Sequence, residues 1–271
     1  AASSAAHTYG KPVVWAEAFT GGPSFANTPR DLKNLGDWSF AEGVNQFVLH
    51  VYIHQPWEDS KPGVNAWFGT EFNRHNTWFE SSKPWIDYLR RCSVMLQSGK
   101  HVADVAYYIG EDAPKMTGTR NPELPAGYDY DYINSEVIEK QLAVKDGRFV
   151  LPDGISYRLL VLPESATMRP AVLQKIGQLV AAGGVVLGPA PTRSPSLENF
   201  PAADNANLLN CPCRSQRRGN IGHNSGTFRP VIFLPRDHDI EPSRQRLLRQ
   251  AFPGLASHDE RLAHGDRLET L

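Results

Sequence analysis

The sequence has few cysteines, no long apolar run and almost no net charge, and each shortage excludes a class of protein. Three cysteines among 271 residues (Cys92, Cys211 and Cys213) cannot form the framework of a disulfide-rich protein. No apolar run approaches the roughly 20 residues that span a bilayer. A net charge of −1 lacks the concentrated basic field that binds nucleic acid or a membrane surface. We therefore expect a soluble globular protein with neither kind of partner.

Several motifs of known chemistry are also missing. The first residues, AASSAAHTYGKP, show no basic segment followed by an apolar one, so they are not a signal peptide. Cys211 and Cys213 have one residue between them and no second pair, which disfavours zinc. No P-loop, dinucleotide-binding glycine motif or GxSxG element occurs. The chemistry must therefore lie in other residues.

Residues 1–99 alternate predicted strands and helices, which is typical of parallel α/β architecture. Residues 13–18 and 45–54 predict strands, and residues 29–40 and 85–97 predict helices. Residues 100–205 repeat the pattern and predict a separate open parallel sheet. Its predicted elements are strands at 101–110, 157–165 and 185–191, and a helix at 169–182.

The tail, residues 206–271, has a different composition. Residues 211–271 contain ten arginines and no lysine, whereas residues 1–210 contain nine of each. Two interpretations stay open: a weakly structured extension, or a reading-frame change in a GC-rich gene. Neither predicts a functional site there.

Glu17 is the first candidate for chemistry. It lies near the end of the apolar run KPVVWAEA and shares one strand face with Trp15, because side chains alternate along a strand. In a barrel of parallel strands the catalytic groups project from the carboxyl ends of the strands. A carboxylate at such an end could equally cap a loop or pair with an arginine.

The second predicted strand places His50, Tyr52 and His54 on one face. Polar aromatic residues are unusual inside a barrel, where branched aliphatic residues dominate. They indicate a polar pocket, although any single histidine could be a hydrogen-bonded core residue. The following loop adds Trp57, Trp67 and Trp78 among polar side chains. Flat aromatic faces beside hydrogen-bonding groups suit sugar rings, and ordinary packing is the alternative.

Several blocks together resemble the family 106 glycoside hydrolases, which are inverting α-L-rhamnosidases. They are AAHTYGKPVVWAEAFT, EGVNQFVLHVYIHQPW, NTWF, YLRRCSVMLQSGKHVADVAYYIGEDAP, LPAGYDYDYIN and YRLLVLPES. The resemblance runs from Ala1 to about Asn205. It implies a (β/α)₈ catalytic barrel, of which residues 1–99 would be the last strands, followed by a flavodoxin-like domain.

The resemblance also implies a pair of catalytic glutamates, a calcium ion and a rhamnose-containing glycoside as substrate. Glu17 matches the second glutamate and is assigned here as the general base, with the reverse assignment open. The first belongs to a D-x-x-E motif on an earlier strand of the family's barrel, and no counterpart precedes Glu17 in this chain. We therefore expect this chain alone to be inactive without an upstream part, and the parent enzyme to be periplasmic or secreted. Alternatives are a β-galactosidase-like barrel enzyme, an inactive truncated remnant or a carbohydrate-binding fragment.

Overall fold

The structure is a computed structural model that describes residues 1–22, 24–111, 120–197 and 200–201, together with the backbone of residues 232–233. The chain divides into two compact units, Ala2–His101 and a second unit from Val102 onward. Apart from residues 232–233, the Arg-rich tail at 206–271 lies outside the described residues. The interpretations of that tail therefore stay predictions.

The first unit combines a short parallel sheet with helices. Its elements are α1 (Ala2–Thr8), β1 (Trp15–Ala18), α2 (Pro29–Ala41), β2 (Gln46–Leu49), a 3₁₀ turn (Phe79–Ser81) and α3 (Lys83–Gln97). β1 and β2 pair in parallel, with Trp15 opposite Gln46 and Glu17 opposite Val48. Both predicted helices are confirmed within two residues at each end.

Local sequence explains where α2 begins. Thr28 precedes the helix in an extended conformation, and Pro29 occupies the first turn, where a missing N–H costs nothing. The Asp31 carboxylate accepts a hydrogen bond from the Thr28 amide at 2.8 Å, which closes a capping box.

The two faces of the β1–β2 sheet differ sharply in burial. One face packs in an aromatic-rich core whose buried members are Phe19, Leu32, Phe40, Phe72, Trp85 and Leu89. Ala18, Phe47 and Leu49 contribute the strand side of that core. The opposite face is open, and Trp15 and Val48 are 65% and 47% exposed there. Glu17 lies on this open face.

The prediction of a strand through residue 54 is wrong, because β2 ends at Leu49. The chain leaves β1 there and pairs with a later segment instead. The Val51 amide donates to the Thr70 carbonyl at 2.7 Å, and the Phe72 amide donates to the Val51 carbonyl at 2.9 Å. Strand alternation therefore does not orient Tyr52 or His54.

The second unit contains a five-stranded parallel sheet in the order β10-β9-β8-β3-β4. The three predicted strands correspond to β3, β8 and β9, which are adjacent as expected. The elements are β3 (Val105–Tyr108), β4 (Tyr130–Ile133), α4 (Ser135–Lys140), β5 (Ala143–Lys145), β6 (Arg148–Val150), β7 (Ser156–Tyr157), β8 (Leu159–Val161), α5 (Pro170–Ala181), β9 (Val186–Gly188) and β10 (Ile232–Phe233).

A second, antiparallel sheet of three short strands, β5-β6-β7, was not predicted. Its first turn is Asp146-Gly147, where both residues have positive φ (51° and 72°), as a two-residue hairpin requires. The architecture is thus a mixture of parallel and antiparallel sheets with helices. Within the described residues, no helix has both the length and the apolar composition needed to cross a membrane.

Candidate active site

Glu17 lies one residue before the carboxyl end of β1, and its side chain is exposed on the open face of the sheet. One carboxylate oxygen, Oε1, accepts a hydrogen bond from the Thr20 hydroxyl at 3.0 Å. The end of β2 lies beside this point, since the His50 amide donates to the Ala18 carbonyl at 3.0 Å. The carboxylate is thus held by a local contact and remains open to water.

His50 is held by packing. Its ring stacks on Phe68 with a centroid distance of 5.1 Å and an angle of 20° between the planes. Gly69 (φ +95°) passes so close that a Cβ there would lie 2.5 Å from His50 Nδ1. Among the described residues, this buried Nδ1 has no hydrogen-bond partner. The glycine is therefore required by both the backbone conformation and the close approach of the ring.

The aromatic row continues from His50 through Phe68 to Trp67. The Trp67 and Phe68 rings meet edge to face at 4.5 Å, and Trp67 is 88% exposed. Two predicted site residues, His50 and Trp67, are therefore linked through Phe68, which the sequence prediction did not include. His54 and Trp57 are exposed in the segment before this row and are not part of it.

Trp78 has a different environment from the other predicted tryptophans. It packs against the first unit's core and meets Phe72 edge to face at 5.7 Å. Its indole N–H donates to the Asn27 carbonyl at 2.9 Å. These contacts show that Trp78 packs within the first unit. Its contact with a substrate stays a prediction.

Sequence reasoning missed a set of buried polar residues in the segment that carries Trp67 and Phe68. These are Gln55, Thr70, Glu71, Asn73 and Asn76. Glu71 is fully buried, and its carboxylate accepts hydrogen bonds from the Ala66 amide and from Asn73 Nδ2, both at 2.9 Å. The sequence feature that could have indicated a buried acid is the position of Glu71 between Phe68 and Phe72 in the run FGTEFNRHN.

Charged groups in the second unit are engaged in structural contacts. The Glu111 carboxylate accepts from the Arg169 amide at 2.7 Å and pairs with its guanidinium, which also pairs with Glu139. Burial, followed by the nearby Asp131 carboxylate, raises the pKa of Tyr157 well above its usual range. We predict that this unit supplies no catalytic group.

Within Ala2–His101, the described carboxylates are not clustered as they would be around a calcium ion. Calcium takes six to eight oxygen ligands, usually including several carboxylates. Within Ala2–His101 as described, no three His, Cys, Asp or Glu side chains come close enough together to hold one ion. Glu17 is the exposed carboxylate at the strand end, and the buried Glu71 is already hydrogen-bonded through both oxygens.

Comparison with known proteins identifies the family of the chain. The family model described as alpha-L-rhamnosidase, for glycoside hydrolase family 106, matches residues 1–215. The structure of a rhamnosidase from Novosphingobium sp. PP1Y superposes with a TM-score of 0.74 at 35% identity, over 90% of this chain and 23% of that one.

A curated protein of Formosa agariphila, described as "Putative beta-glucuronidase", is 45% identical over 204 residues. That match covers 74% of this chain and 17% of the relative, so the chain spans less than a quarter of either protein's length. Because the family model covers most of the chain, the chain belongs to the family 106 glycoside hydrolases, enzymes that act on carbohydrate substrates.

Proposed function

We propose that this chain is part of an inverting α-L-rhamnosidase that removes terminal rhamnosyl residues from glycans or glycosides. The observation that carries the proposal is the exposed Glu17 carboxylate at the carboxyl end of a parallel strand. Family membership and the likeness to a rhamnosidase structure support the substrate class.

β1 and β2 are proposed to be the last two strands of a (β/α)₈ barrel. The order β1, α2, β2, α3 is that of two barrel repeats, and the helices cover only one face of the sheet. Trp15 and Val48 on the open face would then point into the barrel, where side chains from other strands fill the interior. The parallel sheet from Val102 onward is proposed as a flavodoxin-like domain.

The proposed mechanism needs two carboxyl groups with different tasks. In an inverting glycosidase one protonates the leaving oxygen, while the other takes a proton from the water that attacks the opposite face of the sugar. Glu17 is assigned as the base, because its exposed carboxylate can reach a water molecule and keeps an acceptor oxygen beyond its bond to Thr20. The acid would be supplied by another part of the enzyme, so this chain alone is expected to be inactive.

The proposed sugar-binding surface consists of His50 and Trp67 with their bridging Phe68. An exposed indole offers an apolar face to the C–H groups of a sugar ring. His54 and Trp57 are proposed to contact more distant parts of the glycoside. Calcium is proposed for the complete enzyme, because the described part of Ala2–His101 groups no three His, Cys, Asp or Glu side chains as ligands.

The identity to the Formosa relative makes a β-glucuronide the second candidate substrate. The complete enzyme should be assayed against p-nitrophenyl α-L-rhamnoside and p-nitrophenyl β-D-glucuronide, with and without a calcium chelator. NMR of the first product formed gives the anomeric configuration. Cleavage of the rhamnoside with inversion supports the proposal. Turnover of the glucuronide alone, or retention of configuration, contradicts it.

A further inference from the structure

Glu71 closes a tight turn formed by residues 66–71. Its Oε1 accepts from the Ala66 amide across the base of the turn, and its Oε2 accepts from Asn73 Nδ2, each at 2.9 Å. Asn73 is itself buried, and its amide orientation is set because Asn73 Oδ1 accepts from the His75 amide at 2.9 Å. A carboxylate suits this position, because both neighbours donate and a carboxylate only accepts.

The same turn is attached to the loop that follows Glu17. The Gly69 amide donates to the Gly21 carbonyl at 2.5 Å, and the Glu71 amide donates to the Ser24 carbonyl at 2.9 Å. The Ser24 hydroxyl donates to the Ala66 carbonyl at 2.9 Å. The base of the turn is therefore held to a segment that begins only four residues after Glu17.

The outer part of the turn carries the exposed aromatic surface. Trp67 immediately follows Ala66, whose amide Glu71 holds, and Phe68 stacks on His50. Two side chains hold the backbone at Ala66: Glu71 accepts from its amide, and the Ser24 hydroxyl donates to its carbonyl. Loss of the Glu71 bond should therefore loosen the amide side of this residue. The orientation of the Trp67 ring depends on that backbone in turn.

We propose that Glu71 is a positioning residue that holds the Trp67–Phe68 surface in place to receive the sugar. This inference rests on the proposed function, since it assumes that Trp67 contacts the glycoside. It assigns Glu71 no proton transfer. A surface that binds the ground state and the transition state alike changes KM and leaves kcat unaffected.

The first test is Glu71→Gln in the complete enzyme, assayed with an aryl α-L-rhamnoside. The glutamine side chain has the same shape, but its NH₂ group must face one of two other donors, Asn73 Nδ2 or the Ala66 amide. One of the two hydrogen bonds is therefore lost. KM should rise about tenfold, as for loss of one good binding contact, while kcat stays within about twofold. Trp67→Ala should give a similar increase, and the double variant little more, because both act through one surface. Glu80→Gln, an exposed acid on the 3₁₀ turn, is the matched control and should change neither constant.

The second test restores the hydrogen bonds with the polarity reversed. In Glu71→Gln/Asn73→Asp, the glutamine can accept from Ala66 and donate to the new aspartate, whose other oxygen can accept from His75. KM should return to near the wild-type value. Hydrogen exchange at the Ala66 amide gives a readout independent of activity. It should be faster in Glu71→Gln than in wild type and slow again in the double variant.

These outcomes separate the inference from the proposed function. If the wild-type enzyme does not cleave the rhamnoside, the proposed function fails. Hydrogen exchange at the Ala66 amide still tests whether Glu71 stabilises the turn. An unchanged KM in Trp67→Ala overturns the inference even if Glu71→Gln does not fold. A loss of kcat in Glu71→Gln at constant KM, or failure of the reversed pair to restore KM, also overturns it.

Discussion

Replacing Glu17 with glutamine in the complete enzyme should abolish most turnover without unfolding the protein. A general base contributes typically ~10²–10⁴-fold to the rate, which at about 1.36 kcal/mol per tenfold is ~2.7–5.4 kcal/mol of barrier. The cost to stability should be small. Glu17 is exposed, and its carboxylate accepts a hydrogen bond from the Thr20 hydroxyl that an amide oxygen can also accept. Surface changes of this kind stay within about 0.5 kcal/mol.

The assay compares kcat on two aryl rhamnosides, one with p-nitrophenol and one with the better leaving group 2,4-dinitrophenol. If Glu17 is the base, the variant should be slow on both, because activation of water is impaired regardless of the leaving group. If Glu17 is the acid, the activated substrate should recover most of the rate, since its leaving group needs no proton. Thermal unfolding of the same preparations is the control. A kcat within tenfold of wild type on both substrates would refute any catalytic role for Glu17.

Three further predictions follow from packing and exposure. Tyr157→Phe removes a 2.9 Å hydrogen bond to the buried Asp131 carboxylate and should lower the free energy of unfolding by about 1.5–3 kcal/mol in a urea titration. Burial raises the pKa of Tyr157, so the advantage of the wild type should be full at neutral pH and decline only above the unfolded tyrosine value of about 10. Gly184→Ala places a Cβ 2.7 Å from the buried Phe149 ring and should cost about 1–3 kcal/mol, whereas Gly99→Ala meets nothing within 4 Å and should be neutral. The 271-residue chain by itself should show no rhamnoside turnover, and measurable cleavage by the purified chain would contradict the split of acid and base between segments.

Helices and buried parallel strands could be predicted because their signals are local. The boundaries of α2 follow from Thr28, Pro29 and the apolar spacing of the residues after them. The strands β3, β8 and β9 are short apolar runs whose residues are all buried, as expected for strands covered on both faces. For these elements the local sequence pattern predicts the same type of secondary structure that the fold contains.

Elements whose partners are distant could not be predicted in the same way. β2 stops at Leu49 because residues 70–72 take over the backbone hydrogen bonds at Val51, and that pairing spans some twenty residues of irregular loop. β4 alternates tyrosine with aspartate, a pattern that also suits a polar turn, so its pairing with β3 has no clear local signal. In the structure Asp131 is buried, with one oxygen accepting from Tyr157. The hairpin at Asp146-Gly147 does have a local signal, because an Asp-Gly pair between two short strands favours a two-residue turn.

The candidate site shows the same division between local and distant information. Glu17 could be selected because a strand end is a local feature, and its catalytic role stays a prediction. Glu71 could not, because an acid in a polar loop is usually solvated. Its burial depends on Ala66, Asn73 and the Ser24 segment converging on it. The catalytic geometry of an inverting enzyme also depends on residues that are distant in sequence, because its two carboxyl groups must be held on opposite sides of one sugar. The catalytic residues of a barrel come from several strands. The sequence of one strand end can therefore identify a candidate base, but the distance between base and acid is set by the complete barrel.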